Sequence, residues 1–379
     1  MTKEQIAVPG ARRQVTPKPT LGFFLGNAGA LLRMKRANRK NIEQQVTATR
    51  LLVEPTIPTF EGTGGPMEEG MIYLLFNSED GAGPIDTVFR VFWVNAPALR
   101  FAFLDAFLVS ENLSSGQWSR TYPHGILKHR TKGHYHQEVD LEAYTMTCDG
   151  TWHEGYTFQF NDKRNHISGD VKIQALSPKG VLVFFNGREA ITPSMVQRFY
   201  DMFALKATGE LKVQGRQLEL TNGRAIIEHG LGIFSSYNIY DWRWLNLQFP
   251  EGTVHLFYHS LDLGDEGIFV AGEGAAVIDG EWYHFLHNDF AIEELAYEED
   301  VALPTKVPVA WRVTAGKDVS GSPSLDLQVK KTAVASWIGT MGKENEFISN
   351  YVLEATGTWR SKRVVGKGTM ENQMHRIVE

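Results

Sequence analysis

Cysteine is almost absent. Cys148 is the only one among 379 residues, which excludes an internal disulfide and any cysteine-rich metal site and fits a reducing compartment. Long apolar runs are missing too. Residues 21–32, LGFFLGNAGALL, form the one apolar N-terminal stretch, well short of the roughly 20 residues a helical span requires. A proline-bearing spacer precedes it, and Arg33-Met34-Lys35-Arg36 follows with no small-residue cleavage site. The sequence therefore predicts a cytoplasmic rather than an exported protein. No G-x-G-x-x-G, P-loop, H-E-x-x-H or G-x-S-x-G motif occurs, so no cofactor is expected. Helical periodicity is scarce, and no repeat of about 20–50 residues is visible, which argues against a propeller or a solenoid.

What is abundant is aromatic and glycine content: 22 Phe, 12 Tyr, 9 Trp and 36 Gly, a mixture that favours strands and tight turns. Charge is unevenly spread. Residues 1–50 carry ten Lys or Arg against Glu4 and Glu43, a surplus of +8 in a chain of net charge −6, so the remainder carries −14. A body that acidic excludes nucleic acid as a partner. The basic arm could touch anionic lipid, giving a peripheral membrane contact, or pack Phe23 and Phe24 against the body. Length alone argues for more than one core. From residue 71 onward, short alternating segments separated by Asn, Asp, Gly and Pro clusters read as an antiparallel meander, interrupted by one short helix near residues 192–202 that bridges the halves. The expected division is a basic arm with a short helix over 1–60, a first β-barrel over 61–205 and a second over 206–379. Closure of each barrel would remove the edges so many strands otherwise expose. The sequence sets no oligomeric state.

Three groups of residues could carry chemistry. In residues 242–249, Trp242, Trp244, Asn246 and Gln248 share one face while Arg243, Leu245, Leu247 and Phe249 share the other, giving an apolar side for a core and a polar-aromatic side for a ligand. Just upstream, Glu228 and His229 precede Gly230 and Gly232. A carboxyl pushed up by an apolar surrounding can donate a proton and an imidazole titrates near neutrality, so both are acid/base candidates, with Tyr237 and Asp241 along the same loop. Neighbours on a strand point to opposite faces, so the pair shares one cavity only where the strand ends or bulges; otherwise Glu228 satisfies backbone amides. Phe234, Tyr240, Trp242, Trp244 and Phe257 would line a pocket for an apolar substrate, although many rings in such a fold are simply core. A weaker metal candidate is His134, His136 and Glu138, which strand alternation would place on one face.

The residues Gly209, Leu211, Gly215, Gly223, Glu228, His229, Gly232, Trp242, Trp244, Gln248 and Gly252 give an order that resembles the second barrel of the AttH and carotenoid 1,2-hydratase group of double lipocalin-like proteins, related to lipocalin-like Diels–Alderases. The closing segments Tyr351 to Glu354 with Gly357, and Gly366 and Gly368 with Glu371, are similar to that group's last hairpin, with Ala355 where the group usually has Gly. The resemblance covers residues 206–379 and implies an all-β fold of two consecutive lipocalin-like barrels. It also implies a pocket for a small hydrophobic molecule of isoprenoid, steroid-like or polyketide-like character. The function expected is a cofactor-independent hydratase or dehydratase. The alternatives are a pericyclase or isomerase of the same fold and a carrier that catalyses nothing.

Overall fold

A computed structural model describes residues 28–49, 68–77, 86–96, 101–110, 116–123, 127–129, 135–141, 144–177, 179–213, 215–234, 238–317, 321, 323–339 and 346–379. Among these residues two short helices, α1 (Ala28–Arg36) and α2 (Arg39–Thr49), precede 22 strands. Asn38 starts α2 as its N-cap, its Oδ1 accepting from the Asn41 amide at 3.1 Å, which satisfies one of the four free donors of the first turn. None of the described helices is long and apolar enough to cross a membrane.

The first sheet comprises β1 (Glu68–Phe76), β2 (Thr87–Ala96), β3 (Phe101–Ser110), β4 (Gly116–Pro123), β5 (Leu127–His129), β6 (Tyr135–Leu141), β7 (Tyr144–Thr151), β8 (Gly155–Asp162), β9 (Ile167–Ala175), β10 (Val181–Val183), β11 (Ala190–Ile191), β12 (Met195–Val213) and β13 (Arg216–Phe234). Its main path runs β4-β3-β2-β1-β13-β12-β9-β8-β7-β6-β5. The second sheet comprises β14 (Ile239–Phe249), β15 (Gly252–Asp262), β16 (Ile268–Ile278), β17 (Glu281–Leu286), β18 (Phe290–Glu299), β19 (Lys306–Lys317), β20 (Pro323–Gly339), β21 (Glu346–Trp359) and β22 (Lys362–Met374), ordered β17-β16-β15-β14-β22-β21-β20-β19-β18. Every strand pairing is antiparallel.

Each sheet curls round a core of its own. Phe89 of β2 stacks on Phe160 of β8 at 5.2 Å although four strands separate them in the sheet, and Tyr283 of β17 meets Trp359 of β21 edge-on at 4.9 Å. A third core lies between the sheets. On β1, Ile72, Leu74 and Phe76 join the first sheet's interior, whereas Met71, Tyr73 and Leu75 join a cluster shared with Trp244, Phe257 and Val352 of the second sheet. Strands buried on both faces read as continuous apolar runs, which is how residues 71–76 read in sequence. Helix α2 adds Ile42 and Val46 to this shared core.

The helix expected over 192–202 is instead the start of β12. Its residues alternate: Phe199 and Phe203 face the shared core, while Tyr200 and Met202 face the first interior. Thr192 turns the chain into the strand, its Oγ1 accepting from the amides of Ser194 and Met195 at 3.2 and 3.1 Å. The division expected at 205/206 falls inside this strand, where the register shifts between Met202 and Leu205. Such an irregularity lets a long strand bend. The β12–β13 hairpin belongs to the first sheet, and the chain passes to the second between Phe234 and Ile239.

Candidate active site between the two sheets

The strand alternation that splits β1 between two cores also decides which polar groups meet. Glu69 and Tyr73 on β1, Arg90 on β2, Asp201 on β12 and Glu228 on β13 all occupy the phase that faces the second sheet. Tyr73 is opposite Arg90, and Glu228 is opposite both Met71 and Asp201. From the other side come Trp244 on β14, His255 on β15, Asn350 on β21 and Glu371 on β22, with Trp244 and Asn350 each paired to Glu371.

These groups interlock across the seam. Arg90 forms a buried ion pair with Glu371 and sits over the Phe107 ring at 4.7 Å. The Tyr73 hydroxyl lies 3.3 Å from Glu371 Oε2 and 3.5 Å from Asn350 Oδ1, and its ring stacks on Trp244 at 4.6 Å. Asp201 Oδ2 accepts from Trp244 Nε1 at 2.9 Å and lies 2.6 Å from His255 Nε2. Four carboxyl groups thus face Arg90 and His255 at a site from which water is largely excluded.

Glu228 is the group this surrounding perturbs most tellingly. Burial, then the charges of Asp201, Glu69 and Glu371, push its carboxyl well above the usual carboxylate range, and Arg90 offsets only part of this. Among the described residues none hydrogen-bonds its carboxyl, and it keeps 7% exposure, so its proton is not committed to an acceptor among them. The surrounding thus shifts the balance toward the neutral acid. Burial likewise pushes Glu69 up to about 7, against the pull of a hydrogen bond from Gln197. Partial exposure of Glu69 moderates its desolvation.

A stability prediction follows from Glu69. A carboxyl whose folded value lies above its unfolded one favours folding fully only below the unfolded value, and that contribution is lost as pH rises through the folded value. For Glu69 the window runs from about 4.5 to about 7. Glu69→Gln should therefore match the parent at pH 4 and exceed it in denaturant midpoint at pH 8; equal midpoints at both pH values would contradict the burial argument.

The other residues singled out from sequence are placed apart. His229 points the opposite way from Glu228, into the first sheet's interior against Tyr200, with ring centroids 5.6 Å apart. Asp241 belongs to a separate ion cluster, bound by Arg376 at 3.0 and 3.2 Å and lying 3.7 Å from Arg243, which also binds Glu294 at 2.6 Å. Burial raises its proton affinity while Arg376 and Arg243 pull it down. Tyr237 lies outside the described residues. Tyr240 accepts from the His375 amide through its backbone carbonyl at 3.0 Å. The rings do gather: Trp242 meets Phe257 at 4.5 Å and Phe234 at 5.4 Å, all against the shared core. His134 lies outside the described residues, and His136 and Glu138 share β6. Among the described residues no group of three or more His, Cys, Asp or Glu could hold a metal ion.

Sequence reasoning missed Tyr73, Arg90, Asp201 and His255. A signal existed for two of them, since Arg90 interrupts the apolar run TVFRVFWV and Asp201 interrupts FYDMF. A charge at a buried phase of a strand is rare unless paired.

No known family profile matches the sequence, and no curated protein is significantly similar to it. Solved structures are similar in fold. An AttH-like protein of Nitrosomonas europaea aligns at 13% identity over 86% of this chain and 99% of its own, TM-score 0.60. CghA, solved with Sch210972, aligns at 13% identity over 85% and 94%, TM-score 0.63. Kievitone hydratase of Nectria haematococca aligns at 11% over 84% and 93%, TM-score 0.50. At these identities the likeness establishes architecture: the chain has the all-β, double lipocalin-like fold of the AttH-like proteins.

Proposed function

We propose that the seam between the sheets is the active site of a cofactor-independent hydratase or dehydratase acting on an apolar isoprenoid-, steroid- or polyketide-like molecule, with Glu228 as the acid. The observation that carries this reading is a buried carboxyl on the face of β13 turned to the second sheet, opposite Asp201, with no hydrogen-bond partner among the described residues and with burial and three neighbouring carboxyl groups raising its proton affinity. A carrier would need none of this, because burying carboxyl groups costs stability without aiding apolar binding. In the forward direction Glu228 gives its proton to one carbon of an alkene. The partly exposed ring of Trp242, at the same core, would face the cation, an arrangement ring quadrupoles favour, while Phe92 and Trp337 already lie under the Arg90 guanidinium at 5.8 and 5.9 Å. The oxygen of water bonds to the cationic carbon, and the proton that water loses returns to the Glu228 carboxylate. Dehydration is the same path reversed. Tyr73 and Trp244, packed on each other, form a fixed wall.

The likeness to CghA with Sch210972 and to a hydratase supports both this reading and the pericyclase alternative, in which the seam folds a reactive substrate and needs no strong acid. The test is to identify by mass spectrometry the molecule that co-purifies with freshly isolated protein, then to turn it over in heavy-oxygen water. A hydratase places the label in a hydroxyl group of the product or exchanges it there. A product isomerised without label supports the pericyclase instead. Exposed Lys35, Arg36 and Lys40 on α1 and α2 support a contact of the arm with anionic lipid, which would bring the protein to membrane-dissolved substrate.

A further inference from the structure

Asp201 is fully buried and takes no part in the proton transfer outlined above, yet it occupies the position from which it most affects the acid. It lies directly opposite Glu228 on the neighbouring antiparallel strand, so the two side chains share a face with their Cβ atoms about 4.5–5.5 Å apart. Its Oδ2 is held by two groups of the other sheet, Trp244 Nε1 at 2.9 Å and His255 Nε2 at 2.6 Å. His255 is itself fixed, stacked on Phe203 with ring centroids 5.5 Å apart and edge-on to Trp244 at 4.8 Å. We infer that Asp201, pinned by Trp244 and His255 of the second sheet, is a positioning residue that sets the proton occupancy of Glu228, so that docking of the second sheet arms the acid.

Trp244 Nε1 can only donate, so the oxygen it meets must accept. Two groups of the second sheet thus converge on one oxygen of the carboxyl that faces Glu228, in a setting where water screens little. A like charge at that range disfavours ionisation of the second carboxyl. The remaining charged and titratable groups facing Glu228 are Glu69 and Tyr73 from β1, Arg90 from β2, His255 from β15 and Glu371 from β22. Glu69 and Glu371 act in the same sense as Asp201, and Arg90 in the opposite sense. Asp201 differs from them in standing directly opposite Glu228 on the neighbouring strand while its carboxyl is held by two groups of the second sheet.

The inference rests on Glu228 being the acid of this site, but its test needs no substrate. The full chain, labelled at glutamate carboxyl carbons, is titrated by NMR, with the Glu228 signal assigned by its loss in Glu228→Gln. In Asp201→Asn, which keeps the shape and can still accept from Trp244, the Glu228 midpoint should fall by about one pH unit, a tenfold loss of proton affinity. His255→Phe, which removes one pin, should move the midpoint the same way. A purely structural Asp201 would lower the melting temperature of Asp201→Asn and leave the midpoint where it is in the parent. That result overturns the inference, as does a midpoint in His255→Phe unchanged from the parent. If Glu228→Gln retained turnover while the Asp201→Asn midpoint moved, the acid role would fail and the coupling would stand.

Discussion

Glu228→Gln should lose turnover by about a hundredfold to ten-thousandfold, the range a positioned general acid supplies, with ligand affinity almost unchanged. Glutamine keeps the length and shape of the side chain, so rings such as Trp242 and Phe92 that face the shared core keep their places. What it cannot do is release a proton to carbon. The pH profile carries the same information in a second form. Since burial and the charges of Asp201, Glu69 and Glu371 raise the proton affinity of Glu228, the parent should lose kcat/KM as pH rises, along a limb displaced upward from that of an ordinary carboxyl. Turnover that survives Glu228→Gln with the same pH limb removes the residue from the mechanism and moves the protein toward the pericyclase reading.

The second large effect is on stability. Arg90 and Glu371 are an ion pair between the sheets, with side chains only 7% and 12% exposed. Removing one partner of a buried pair leaves an uncompensated charge, at a cost of about 3–5 kcal/mol. Arg90→Met should pay that cost at pH 7, read as a fall in denaturant midpoint with little change in slope. The deficit should shrink as pH falls, because Glu371 then takes up a proton and no longer needs the guanidinium. The double variant Arg90→Met with Glu371→Gln should recover most of the loss. A single variant as stable as the parent at pH 7 would mean that the sheets are not held together at this point.

The parts of this account that could be read in the sequence are those governed by local alternation. The two faces of residues 242–249 stand as read: Trp242 and Trp244 face the shared core, and Leu245, Leu247 and Phe249 face the second interior. The same rule separates Glu228 from His229 once β13 runs straight through both. Reading a helix over 192–202 failed because β12 is buried on both faces, so its apolar residues carry no clean period of two. The site itself was largely hidden for a different reason. Arg90 meets Glu371 across 281 residues and Tyr73 meets Asn350 across 277, and no local pattern records which two sheets will pack. Only the unusual presence of a charge within TVFRVFWV and FYDMF marked the strands that carry it.

The proposed chemistry requires Glu228 to be a neutral acid at physiological pH. The infrared spectrum of the carboxyl C=O stretch, taken as the difference between the parent and Glu228→Gln at pH 7, addresses this directly. The parent should show a protonated-carboxyl band that the variant lacks. A difference spectrum that shows only the loss of an ionised carboxylate would contradict that chemistry.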